Sequence, residues 1–205
     1  MSQLERSLKS SSVAETLATY DEWAKNYNQD VEKEEYVAPQ LASEELVKRL
    51  GSQNIAEAKI LDAGCGTGLV GECLVKLGAR QIDGIDLSPG MLEVAERTGV
   101  YKSLNVANLV ERLEISSQTY DAVICVGTMT EGHVGPEAFD EFIRVTKQGG
   151  IIVSTIRESV WKTKGYEDKV KALNEAGKTK LVSNNLEQQR IGAGVYAYFV
   201  ILQVQ

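Results

Sequence analysis

The sequence predicts an α/β fold: a doubly wound, mostly parallel sheet with helices on both faces and an antiparallel hairpin at the C-terminal end. Three observations carry this. Strand-like and helix-like segments alternate from Lys59 to Ile156. The first strand-like segment runs into a glycine-dense turn, "LDAGCGTGLVG", Leu61–Gly71. The chain closes on two strand-like stretches, "TKLVSNNLEQQ" and "GVYAYFVILQV", joined by the turn "RIGAG".

Each element follows in order. Residues 1–50 read as polar and helical, an N-terminal cap or lid set apart from a core of residues 51–205. Leu4, Leu8 and Leu17 are sparse, so the first helix is weakly amphipathic. Tyr20, Trp23 and Tyr27 stand at i, i+3 and i+7, on one helical face. A second helix follows Pro39, turns Leu41, Leu46, Val47 and Leu50 inward, and stops near Gly51. "KILDAG" is a short strand and "LVGECLVKLG" a helix ended by Gly78. "QIDGIDL" is a strand. "SPGMLEVAERTG" is a helix with Ser88 as N-cap, Pro89 at its first position and Gly99 at its end. "YDAVICV" is a buried strand, "PEAFDEFIRVTKQGG" a helix ended by glycines, and "GIIVSTI" a further strand.

Composition bounds the function. The 205 residues are 43% hydrophobic and 25% charged, ordinary for a globular domain with a sizeable core. The net charge of −7, without a lysine or arginine cluster, disfavours nucleic acid, because phosphate neutralisation dominates non-specific affinity. Cys65, Cys73 and Cys125 are odd in number and form no CxxC. With no signal peptide legible, the expected compartment is the reducing cytoplasm. No apolar stretch approaches the ~18–20 residues of a membrane span.

The glycine turn carries the chemistry. In such sheets ligands bind at the carboxyl ends of the strands, and glycine lets a ligand approach the backbone closely. Backbone N–H groups at the following helix start favour a negative group. Asp86 ends the next strand, twenty residues beyond Gly66, where an acid accepts hydrogen bonds from ribose hydroxyls. Two nucleotide classes compete. Gly66–Gly71 matches G-x-G-x-x-G, the dinucleotide pattern of NAD or FAD sites. If the strand ends at Ala63, however, the turn starts at Gly64 and reads Asp-x-Gly-x-Gly-x-Gly. A carboxylate at Asp62 repels a diphosphate and attracts an ammonium or a sulfonium.

"LDAGCGTGLVG", "GIDLSPGMLEVA", "YDAVICVGTM" and "FIRVTKQGGIIVSTIR" together resemble the successive motifs of class I S-adenosylmethionine-dependent methyltransferases. From "YDEWAKNYNQDV" through "TIRESVW" the chain resembles the methyltransferase-like family named after the Williams–Beuren region. The resemblance implies a Rossmann-like sheet of seven strands, the last antiparallel, and S-adenosylmethionine as cofactor. It implies that Gly64, Cys65 and Gly66 wrap the methionine part while Asp62 holds the ammonium through water. It places Asp86 on both ribose hydroxyls, and Leu87 and Met91 against adenine. Asn108 and Leu109 stand where the family has an Asp-Leu pair; the asparagine carbonyl still accepts from the adenine amino group. Val126 is expected beside the methionine, and Tyr20, Trp23 and Tyr27 as a lid over the cofactor.

His133 and Glu131, in the loop "VGTMTEGHVGPEAF", are the candidate general bases; a plain surface-loop histidine is the alternative. Arg157 and Trp161 are candidates for lining the substrate pocket. Cys65 and Cys73 read as inert small residues. One histidine and scattered carboxylates make no metal-ligand cluster. Methyl transfer to a small-molecule acceptor is the first reading of function, with a protein side chain as the second acceptor class. An NAD- or FAD-dependent oxidoreductase and a binding module without turnover are the readings from other classes. Nucleic acid and membrane partners are not expected, and the oligomeric state is left open.

Overall fold

The computed structural model describes residues 13–131 and 134–205. Its central sheet has seven strands: β1 Lys59–Ala63, β2 Gln81–Asp86, β3 Ser103–Val106, β4 Tyr120–Met129, β5 Thr146–Arg157, β6 Thr179–Arg190 and β7 Val195–Val204. Their order across the sheet is β3-β2-β1-β4-β5-β7-β6. β1 to β5 run parallel, and β7 pairs antiparallel with both β5 and β6. The expected hairpin is present, turning through Gly194 at φ +63°. The strand order reverses between β1 and β4, which opens a crevice at their carboxyl ends.

The helices among the described residues are α1 Val13–Trp23, α2 Tyr27–Lys33, α3 Ala38–Leu50, α4 Leu69–Lys76, α5 Pro89–Thr98, α6 Ala138–Val145, α7 Glu158–Trp161 and α8 Tyr166–Glu175. The period-2 alternation of the strands separates two cores. On one face, Leu61, Val123, Cys125 and Ile152 meet Phe139 and Phe142 of α6 and Tyr166 and Val170 of α8. On the other, Ile60, Ala122, Ile124 and Val153 meet Leu46 of α3 and Val70 and Leu74 of α4. α3 was expected within the N-terminal cap. Ala38, Ala42 and Leu46 are fully buried in this second core, so α3 packs as a sheet helix.

Local chemistry sets the helix ends. Ser88 caps α5, its hydroxyl accepting the backbone N–H of Met91 at 3.0 Å, and Gly99 ends it at φ +68°. Pro39 sits in the first turn of α3. α6 differs from the expectation that it runs to the glycines. It stops at Val145 because Thr146 pairs with Tyr120 and begins β5. Three elements escaped the sequence reading. β3 is a four-residue edge strand with a mostly exposed surface, so it carries no apolar run. α7 is a single turn, and α8 buries Tyr166, Val170 and Leu173 on one side.

The aromatic segment also differs from a continuous helix. α1 ends at Trp23, and the chain turns before α2 begins at Tyr27. The three rings still meet. The Trp23 and Tyr27 centroids are 4.7 Å apart and edge-on, and Tyr20 lies 5.9 Å from Trp23 and 6.4 Å from Tyr27.

Candidate functional site

A cleft of about 840 Å³, counted out to its open mouth, lies at the carboxyl ends of β1 to β4. β1 ends at Ala63, and Gly64 and Gly66 turn with φ of +78° and +52°, a conformation that disfavours side chains. A Cβ on Gly64 would collide with the Thr128 hydroxyl. A Cβ on Gly66 would meet no atom within 4 Å, because it would stand in the cleft.

Asp86 closes β2 and is held from both sides. Its Oδ2 accepts the Gly66 N–H at 2.8 Å, and its Oδ1 accepts the Ser88 N–H at 2.9 Å. Burial raises its pKa, against the backbone donors of Ser88, Gly66 and Leu87 that pull it down. Leu87, Met91, Asn108 and Leu109 complete the wall beside it. Asn108 does not point free: its amide donates to Glu111 at 2.7 Å. On the other side, β4 leaves its ladder. The register with β5 shifts between Cys125 and Met129, Gly127 adopts φ +75°, and its N–H donates to Thr155 Oγ1 at 2.9 Å. This irregularity turns Val126, Gly127 and Thr128 into the cleft.

The N-terminal segment covers the cleft. Thr16, Leu17, Tyr20 and Tyr27 line it from above. The segment is fastened at three places. Asp21 Oδ1 accepts the Ser88 hydroxyl at 2.5 Å and the Gly90 N–H at 2.9 Å. The Thr67 hydroxyl donates to Asn28 Oδ1 at 2.5 Å. Glu34 pairs with Arg190, whose guanidinium stands 4.8 Å over the Tyr36 ring.

Ten of the thirteen residues expected at the cofactor line this cleft: Tyr20, Tyr27, Gly64, Gly66, Asp86, Leu87, Met91, Asn108, Leu109 and Val126. Trp23, Asp62 and Cys65 lie behind its wall. Trp23 is 3% exposed and donates its indole N–H to Asp30 Oδ2 at 2.9 Å, so it packs the cap from inside. Cys65 is buried, and burial pushes its thiol well above the usual range. Burial likewise raises Cys73, and lifts Cys125 to about 12. In all three the reactive thiolate form is disfavoured.

Asp62 is fully buried. Its Oδ2 accepts the Tyr101 hydroxyl at 2.7 Å, and its Oδ1 has no partner. Desolvation, with the nearby Asp86 charge, pushes its pKa up to about 7 in spite of the Tyr101 bond. Tyr101 carried no motif signal in the sequence.

Of the candidate bases, His133 lies outside the described residues. Glu131 does not line the cleft. Its carboxylate accepts from Arg157 Nη1 at 3.1 Å and from Ser159 Oγ at 2.7 Å, which ties β4 to the start of α7. Arg157 is occupied by that pair, and Trp161 is buried, stacked on Tyr198 at 4.7 Å. Among the described residues no cluster of His, Cys, Asp and Glu suits a metal ion, and no helix is long and apolar enough to cross a membrane.

The residues fit S-adenosylmethionine. Asp86 beside an open glycine turn suits a ribose, and the unpartnered oxygen of Asp62 suits a cation. Comparison with known proteins agrees. Residues 60–150 match the family described as "Methyltransferase domain". The chain is 42% identical over 146 residues to human methyltransferase-like protein 27, covering 71% of this chain and 59% of the relative. It is 37% identical over 112 residues to the ubiquinone biosynthesis O-methyltransferase of Xanthomonas oryzae pv. oryzae (strain PXO99A), covering 52% of this chain and 46% of the relative. The chain thus spans about half the length of the curated relatives it matches. By fold it is similar to a putative methyltransferase solved in complex with the Haloferax volcanii Trm112 methyltransferase activator (TM-score 0.66, 15% identity, 90% of this chain and 96% of that one). It is also similar to the magnesium protoporphyrin IX methyltransferase of Synechocystis PCC 6803 with bound S-adenosylmethionine (TM-score 0.63, 16% identity, 82% of this chain and 79% of that one). These relatives give the dinucleotide reading of Gly66–Gly71 no support. Residues 60–150 therefore match a methyltransferase domain, and the chain resembles class I S-adenosylmethionine-dependent methyltransferases in sequence and fold.

Proposed function

We propose that the protein transfers a methyl group from S-adenosylmethionine to a small-molecule acceptor. The single observation that carries this reading is Asp86, held by Gly66 and Ser88 at the rim of a cleft that opens at the switch point of the sheet. When bound, the cofactor supplies an electrophilic methyl on a sulfonium. Asp86 receives the ribose hydroxyls on its remaining lone pairs. Leu87, Met91 and Leu109 give the adenine an apolar slot, with Asn108 at its edge. Asp62 offers Oδ1 to the ammonium through water. Tyr20, Tyr27 and Leu17 close over the cleft and exclude water, with Asp21 and Asn28 as the fastenings.

Catalysis in this reading is chiefly positioning, since in-line displacement needs the nucleophile close and aligned. Asp86 is the lone carboxylate among the described cleft residues, and it serves the ribose. Glu131 is committed to Arg157 and Ser159 and serves the framework. His133 stays a candidate base for an acceptor that must lose a proton. Support for a small acceptor comes from the ubiquinone biosynthesis O-methyltransferases among the relatives and from the partly covered, largely apolar cleft. The test is methyl transfer to a panel of phenols, amines, thiols and carboxylates, with S-adenosylhomocysteine, NAD and FAD titrated in parallel by calorimetry. Binding of S-adenosylhomocysteine with turnover of a panel member supports the reading. Binding of NAD or FAD in its place overturns it.

A further inference from the structure

Tyr101 is placed by glycines. A Cβ on Gly71 would stand 2.5 Å from the Tyr101 Cζ and hydroxyl oxygen. A Cβ on Gly84 would stand 3.0 Å from its ring, and one on Gly68 3.2 Å from it. The ring thus runs through a channel that three glycines keep clear, from the loop after α5 to the end of β1. There its hydroxyl donates to Asp62 Oδ2 at 2.7 Å. The third glycine of the apparent dinucleotide pattern, Gly71, therefore makes room for a tyrosine.

Asp62 is consequently asymmetric. One oxygen is consumed, and the other is buried without a partner, behind the turn that forms the cleft wall. A buried carboxylate oxygen in a native protein is ordinarily satisfied. We propose that Tyr101 is a positioning residue of the cofactor site: by occupying Oδ2 it fixes the Asp62 carboxylate and reserves Oδ1 for the ammonium of the cofactor's amino-acid end. This rests on the methyltransferase reading above. The phenol acts through Asp62 and does not touch the reacting atoms.

The electrostatics accord with the geometry. The titratable groups acting on Asp62 are Tyr101 and Asp86, and it acts in turn on Cys65, Cys125 and Cys73. None of them is a cation, so the ligand's ammonium is the missing positive partner. The Tyr101 bond favours the ionised carboxylate, and its removal lets burial and Asp86 drive Asp62 further towards the neutral acid.

The experiment compares two ligands on two variants. S-adenosylhomocysteine carries the ammonium; 5′-methylthioadenosine keeps the nucleoside and lacks the amino-acid end. Tyr101→Phe preserves the ring that fills the channel. It is expected to weaken S-adenosylhomocysteine about tenfold at pH 7, as for one hydrogen bond to a charged group. The rise of affinity with pH should move to higher pH. Binding of 5′-methylthioadenosine should be unchanged. Asp62→Asn should flatten the pH dependence, and Tyr101→Phe should then add no further loss. Equal weakening of both ligands by Tyr101→Phe, or of neither, overturns the proposal and reduces the ring to packing. An additive loss on Asp62→Asn overturns it as well. If the parent chain binds neither ligand, it is the cofactor reading that fails, and the role of Tyr101 falls with it.

Discussion

The backbone N–H of Gly66 donates to Asp86 Oδ2 at 2.8 Å, across twenty residues of sequence and between two neighbouring strand ends. The bond joins the glycine turn to the acid that ends β2. It fixes the carboxylate before any ligand arrives, so little ordering remains to be done on binding.

Asp86→Ala is expected to weaken S-adenosylhomocysteine at least tenfold, about 1.4 kcal/mol. It also leaves the Gly66 and Ser88 N–H groups without their acceptor, at about 1–3 kcal/mol for each one that stays buried. Calorimetry and a melting curve read the two effects separately. An unchanged dissociation constant would show that the ribose lies elsewhere.

Gly66→Val puts a side chain into open cleft space, at a φ of +52°. The strain of a left-handed residue costs about 1–2 kcal/mol, more for a β-branched one. The sheet should still form by circular dichroism, and cofactor binding should be lost. A mutant that binds as the parent does would displace the site.

Gly71→Ala probes the tyrosine channel. Its Cβ would meet the Tyr101 ring at 2.5 Å, closer than real contacts allow. Overpacking of this kind costs about 1–3 kcal/mol, so the melting temperature should fall by several degrees. Gly99→Ala serves as the comparison. It carries a positive φ of +68°, which Gly71 inside α4 does not, and meets no neighbouring atom. A Gly71→Ala protein as stable as the parent would mean that the ring moves aside freely.

The buried carboxyl of Asp62 makes stability fall with pH. Its pKa is raised from 3.8 to about 7, so the folded chain holds a proton that the unfolded chain has released. The contribution is fully present below about pH 4 and is lost as pH rises through about 7. Without ligand, the parent should therefore melt higher at pH 5 than at pH 8 relative to Asp62→Asn. With saturating S-adenosylhomocysteine the difference should shrink towards zero, because ligand stabilisation grows as the carboxylate ionises and offsets the loss. Matching pH profiles of the two proteins would contradict the assignment.

Asp21 ties α1 to the N-terminus of α5 through Ser88 and Gly90. Asp21→Ala should raise hydrogen exchange across residues 13–36 and weaken S-adenosylhomocysteine severalfold, with β1 to β5 protected as before. Ligand should restore protection to the extent that it favours the closed cap. Exchange that is indifferent to both mutation and ligand would make the segment a permanent wall.

The sequence by itself determined the elements whose signals are local. Ser88, Pro89 and Gly99 bound α5 through their own backbone chemistry. The glycine turn and Asp86 at the next strand end were legible as neighbours, because the parallel pairing of Ala63 with Ile85 brings consecutive strand ends side by side. The aromatic trio was legible as a cluster, though not as a turn between two helices, since i, i+3, i+7 spacing does not reveal where a helix stops. Only the tertiary structure decided what those residues touch. Trp23 proved to be cap interior, held by Asp30. Glu131 proved to be partnered by Arg157, 26 residues away, and Asp62 by Tyr101, 39 residues away. No periodicity encodes such meetings. They depend on which strand ends and loops the chain topology makes neighbours, and on the space that glycines leave between them.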